Sequence, residues 1–112
     1  MAKNTVVDDL LKEAGFIKNK TYKEVRFLKV PDTTFAVWTD AKSARGSDLD
    51  MMIVNHSIRV ELYSFVADEE SSTALEKALS IRGLEWDCGA RLWLPDEQMF
   101  MLIYTFSYDE KI

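Results

Sequence analysis

Glu97-Gln98-Met99-Phe100-Met101-Leu102-Ile103-Tyr104-Thr105-Phe106-Ser107-Tyr108 is the stretch that decides the fold. It is too rich in β-formers to make a good helix. Phe100, Leu102, Tyr104, Phe106 and Tyr108 recur at period two and share one face. Met99, Met101, Ile103 and Thr105 occupy the other. A strand apolar on both faces needs cover on both, so it reads as a central strand. Helices are expected on one side, with a second subunit or a curled part of the same sheet on the other.

Working back toward the N-terminus, Trp86 to Leu94 reads as a shorter strand interrupted by Gly89, and Pro95-Asp96-Glu97 as the turn after it. Before it comes a helix. Asp68 is its expected N-cap, Glu69 and Glu70 complement the dipole of the first turn, and Leu75, Ala78 and Leu79 make a buried stripe. Gly83 takes the left-handed position after the helix and Leu84 folds back. Thr5 to Ala14 repeats this chemistry. Val6, Val7, Leu10, Leu11 and Ala14 form its apolar stripe, and Gly15 and Phe16 end it. The stripe reads as core; interfacial membrane helices are rich in Lys and Arg on the polar face, and this one carries acids. The two helix endings are alike, which is common capping chemistry and only weak evidence of a repeat.

Between the helices three strands are expected. Tyr22 to Val30 reads as a half-buried strand near an edge, where Lys23 and Lys29 discourage sheet-to-sheet pairing. Pro31 ends it. Thr34 to Thr39 places Phe35 and Val37 on one face and Ala36 and Trp38 on the other. Met51 to Val66 turns Ile58, Val60 and Leu62 inward and Arg59, Glu61 and Tyr63 outward. Asp40 to Asp50 reads as a long, polar, mobile loop between antiparallel strands. Loops of this length are disordered or used for binding, so it is the candidate partner-contact element, with Lys42, Arg45, Asp48 and Asp50 its charged residues. Residues 109–112 read as a charged end. The sum is one α+β domain over residues 1–112: an antiparallel sheet of about five strands, two helices on one face, in the order α-β-β-β-α-β-β.

The totals narrow the function. The chain is 47% apolar and 29% charged, an ordinary globular composition. No apolar run approaches the roughly 18 residues of a membrane span. No signal-like segment follows Met1, and the single cysteine, Cys88, forbids an internal disulfide, so synthesis in the cytoplasm is expected. The net charge of −5 argues against a sequence-specific nucleic-acid binder. That charge is uneven. Residues 1–30 hold seven Lys and Arg against four Asp and Glu; residues 31–112 hold seven against fifteen. A subunit with a basic and an acidic side can pack head to tail, and such contacts close into rings when the rotation allows.

Enzyme chemistry finds little support. His56, in phase with Ile58, Val60 and Leu62, reads as a histidine at the strand's start, satisfied by backbone or water. One imidazole and one thiol do not make a zinc site, and no other metal or cofactor site is expected. Cys88 reads as a buried or half-buried inert thiol. The acidic pairs fall at helix starts, a turn and a terminus, where structure already explains them. Trp38, Trp86 and Trp93 have only Arg91 nearby and read as packing rather than a base-stacking platform. Composition alone also leaves open a small acidic regulator or inhibitor acting on a basic partner.

One resemblance goes further. His56-Ser57-Ile58-Arg59-Val60-Glu61-Leu62-Tyr63-Ser64, the acid-capped helix ending at Gly83-Leu84-Glu85-Trp86, and Trp93-Leu94-Pro95-Asp96-Glu97 running into the organising strand resemble a phage family. That family is the small tail-completion proteins, tail terminators and tail-to-head joining proteins, of long-tailed phages and Gram-positive prophages. The resemblance covers about residues 33–112 as a pattern of strand chemistry and element order. It implies a non-enzymatic virion protein, made in the bacterial host cytoplasm and placed at the head–tail junction. It implies a ring, typically of six subunits, that stops tail-tube growth and meets the tail-tube protein and the head–tail connector. No catalytic residues carry over from that family.

Overall fold

The computed structural model describes residues 5–46 and 52–111. Among these the elements are α1 (Thr5–Glu13), β1 (Tyr22–Glu24), β2 (Phe35–Gly46), β3 (Met52–Ser64), α2 (Glu69–Ile81), β4 (Trp86–Cys88), β5 (Leu92–Leu94) and β6 (Met99–Lys111). The sheet runs β1-β2-β3-β6-β4, with β5 also paired to β6. The organising strand is therefore central, flanked by β3 on one side and by β4 and β5 on the other.

Both helices lie on one face. Val7, Leu10 and Leu11 of α1 and Leu75, Ala78 and Leu79 of α2 share a single core with Ala36, Trp38, Ile58, Val60, Leu62, Leu102, Tyr104 and Phe106. The period-two reading of the strands is thus realised residue by residue. The opposite face is covered more thinly. Phe35, Val37 and Met99 are buried there beneath the half-buried Phe27, Tyr63 and Leu94. Phe35 stacks on Tyr63 at 5.0 Å and meets Phe27 edge-on at 5.6 Å.

The helix ends follow from their sequence. Phe16 N–H bonds Leu11 C=O and Gly15 N–H bonds Lys12 C=O; Leu84 to Leu79 and Gly83 to Ser80 repeat the pattern. Gly15 and Gly83 adopt the positive φ this requires, 102° and 70°. Asp68 caps α2, accepting from Ser71 N–H at 2.9 Å and from Thr34 Oγ1 at 2.6 Å. Those bonds hold its carboxyl below the usual carboxylate range. An Arg82–Glu13 ion pair ties the two helices together.

Four expectations are corrected. The sheet has six strands among the described residues, because the interruption at Gly89 divides one strand into β4 and β5, both antiparallel along the same edge of β6. β1 is three residues long, not nine, and it pairs parallel with β2, so the sheet is mixed. The cause is Val25, whose φ is +72°, with Arg26 N–H bonded to Glu24 C=O. This is a γ-turn of the strained kind, in a β-branched residue that rarely accepts it. It ends β1 and brings Phe27 to the outer face, where it packs on Phe35. A parallel partner needs a crossing connection, since a tight hairpin cannot make one.

The third correction concerns the long loop. Asp40–Gly46 is strand, continuing β2 in unbroken antiparallel register with β3 from Phe35↔Tyr63 to Gly46↔Met52. Fourth, the charged end up to Lys111 is also strand, paired with β3 as far as Ile53↔Lys111. Together β2, β3 and β6 extend beyond the helices as a three-stranded arm. Seven residues of strand from Asp40 to Gly46 reach about 20 Å. The molecule is accordingly long, 51 × 28 × 23 Å. Its radius of gyration of 15.1 Å exceeds the roughly 13 Å of a compact chain this size.

Candidate functional site

The arm is where charged side chains gather without an apolar core beneath them. Ala41 to Gly46 are all exposed, as are Ser107 and Asp109 to Lys111. Because side chains alternate, the helix-facing side of the arm carries Asp40, Lys42, Val54, His56, Tyr108 and Glu110. Its other side carries Ser43, Arg45, Asn55 and Asp109.

His56 stands at the centre. It is buried, and it lies well inside β3 rather than at its start, as does Asp40 on β2. Nδ1 lies 2.6 Å from Asp40 Oδ2 and Nε2 lies 2.9 Å from Glu110 Oε1. The ring stacks on Tyr108 at 4.7 Å and 13°. The expectation of backbone or water partners is therefore replaced by two carboxylates from the two neighbouring strands. A carboxylate on each side of the ring favours the imidazolium, the form in which both ring nitrogens donate. Burial works against that charge, but the bonds to Asp40 and Glu110 outweigh it and raise the pKa above 6.5. The cluster is an ionic rivet through three strands.

On the other side of the arm, Asn55 donates to Asp109 at 2.9 Å and Arg45 approaches Asp109 at 3.5 Å. Lys42 is exposed and lies opposite His56 in the ladder. Of the four expected contact residues, Lys42 and Arg45 sit on β2, on opposite faces of the arm. Asp48 and Asp50 lie outside the described residues.

A hollow between the N-terminus of α1 and the arm is lined by Asp8, Tyr22, Trp38, Asp40, His56 and Glu110, among others. These three carboxylates are already engaged. Asp8 accepts from Tyr22 at 3.0 Å and pairs with Lys18 at 3.2 Å. Desolvation, then the bond to Asp8, pushes the Tyr22 hydroxyl up to about 12. Cys88 is exposed rather than buried, and desolvation of its thiol pushes its pKa up, the reverse of what a nucleophile needs.

The single signal that could have located the rivet was the shared parity of Asp40, His56 and Glu110. Parity becomes informative only once the register of the three strands is known.

No protein-family model matches the chain, and no curated protein matches it. Among solved structures, the fold is similar to that of a chain in the virion of a native gene transfer agent (GTA) particle. The likeness has a TM-score of 0.58 at 13% sequence identity and covers 92% of this chain and 84% of that one. At that identity it is a likeness of fold.

Proposed function

We propose that this protein is a structural component of a phage-like particle that completes the tail. In this reading it forms a ring, of about six subunits, at the head-proximal end of the tail tube and docks to the head connector. The observation that carries the reading is the fold likeness to a gene transfer agent virion chain along nearly the whole length of both. The sequence resemblance to tail-completion proteins, a pattern of strand chemistry and element order, points the same way. The shape suits the role. A helix-covered body anchors a long polar arm, and the arm carries Lys42 and Arg45 as contact residues. Asp48 and Asp50, next along the chain, belong to the same proposed surface. The charges that converge on the arm form ion pairs between strands, an arrangement that supports docking rather than bond-making.

Deletion of the gene from the phage or prophage that carries it tests the proposal. Electron microscopy of the lysate is expected to show tails of uncontrolled length, or filled heads and tails left apart. Particles with tails of uniform length joined to filled heads would overturn it. Mass spectrometry of purified wild-type particles is expected to find the chain at a few copies per particle.

A further inference from the structure

The arm has two open edges, and their charges differ in sign. β1 covers β2 only from Ala36 to Trp38. Among the described residues no strand pairs with Ala41–Gly46 on the side away from β3. β4 covers β6 from Tyr104 to Phe106. None of the described strands pairs with Asp109–Lys111 on the side away from β3. The β2 edge carries Lys42 and Arg45 and no acid. The β6 edge carries Asp109 and Glu110 with Lys111.

An open ladder edge is a template for another strand. Three pairings between copies are available. β2 against β2 sets Lys42 and Arg45 against themselves. β6 against β6 does the same with Asp109 and Glu110. Only β2 against β6 sets a basic edge against an acidic one: β6 against β6 brings Asp109 to Lys111 only by facing Glu110 with itself, and like charges facing across strands destabilise by an amount comparable to what opposite ones contribute.

We infer that a second copy of this chain seats the Asp109–Lys111 edge of its β6 on the Ala41–Gly46 edge of β2. The contact is head-to-tail and the two strands run parallel. Direction follows from topology: β2 and β6 both run antiparallel to β3, so they share a direction, and rotation about an axis along the strands preserves it. Closed rotation adds no translation, so the level of each residue is also preserved. Within one chain Asp109 stands level with Ser43, through Asn55, and Glu110 level with Ala44, through Val54. Across the contact Glu110, bonded to His56 within its own chain, is then also diagonal to the neighbour's Lys42, and Asp109, 3.5 Å from its own Arg45, is diagonal to the neighbour's Arg45, each pair on a common face and within reach. Lys111 falls beside Arg45, the one like-charge neighbour, where two long side chains can turn to solvent. The inference rests on the proposed self-association and specifies its surface.

Engineered disulfides test it. In a Cys88→Ser background, Ser43→Cys and Asp109→Cys are introduced singly and together into the full chain. Within one molecule these positions lie two strands apart, about 9–10 Å, too far to bridge. Mild oxidation of the concentrated double variant at low salt is expected to give a ladder of covalent oligomers. Each single variant is expected to form no covalent oligomer. A parallel series with Ala41→Cys or Arg45→Cys in place of Ser43→Cys reads a register displaced by two residues. Adding Lys42→Glu is expected to cut the ladder several-fold while circular dichroism stays unchanged. A covalent dimer from Ser43→Cys alone, or no ladder at any of the three β2 positions, overturns the inference. Gene deletion reads the particle role without reference to this contact, so the two conclusions fail separately.

Discussion

The same three strands live in two physical regimes. In their helix-covered half, Trp38, Ile58, Val60, Leu62, Leu102, Tyr104 and Phe106 are buried beneath two helices. In the arm, β2 past Asp40 has no buried residue, and the strands are held by ladder hydrogen bonds and the Asp40–His56–Glu110 rivet. The first half is stabilised in proportion to apolar area, at about 25 cal/mol per Å². The second depends on charge and geometry. A strand's pairing therefore does not need a core beneath it, provided its neighbours and a few well-placed polar ties supply the order. An arm of this kind keeps polar groups available to a partner on both of its faces, whereas the covered half offers them, as at Thr39, Arg59 and Thr105, only on the face away from the helices.

The largest expected break in the comparison is in the covered half. Leu79 is fully buried on α2. Leu79→Ala is expected to lower unfolding stability by about 3 kcal/mol, from lost transfer energy and the cavity left behind, as read by urea denaturation. His56→Ala comes next, at about 2 kcal/mol. It removes the ring that bonds Asp40, whose side chain is 5% exposed, while Glu110, at 45%, relaxes into solvent. Hydrogen exchange should show the loss of protection concentrated in the arm amides. Equal loss across the helix-covered core would show that arm and body are one cooperative unit.

The rivet also sets a pH dependence. The folded His56 pKa is raised, so its contribution is complete below about pH 6.5 and is lost as pH climbs through the folded value. Stability measured across that rise should fall in the wild type and stay flat in His56→Ala. Asp68 has the opposite sign. Its contribution is present above 3.8 and is lost as pH falls through the lowered folded value. Asp68→Ala, removing the α2 cap, is expected to cost about 1 kcal/mol in thermal or urea unfolding. The smallest effect is expected on the exposed edge of the arm. Ser43→Lys should change stability by less than about 0.5 kcal/mol, and a larger loss would mean that this edge is already packed within the chain.

Much of the body was legible in order of residues. The faces of β2, β3 and β6, both helix ends and the Asp68 cap follow from period, glycine placement and capping chemistry, which act over a few residues. The arm was not legible. Asp40 to Asp50 is polar and holds a glycine, so it reads as loop, yet most of it is strand because β3 provides a partner at every position. Val25 gave no warning of its turn, since a β-branched residue argues against positive φ.

The order of residues is enough to say which side chains must leave water, and hence the α+β class, the central strand and the helices on one face. Tertiary structure alone decided how far the strands run past that cover, which way β1 pairs, and that Asp40, His56 and Glu110 meet. Burial is a property each side chain carries with it, whereas ladder pairing and ion contacts belong to residues distant in sequence and exist only once the register brings them together.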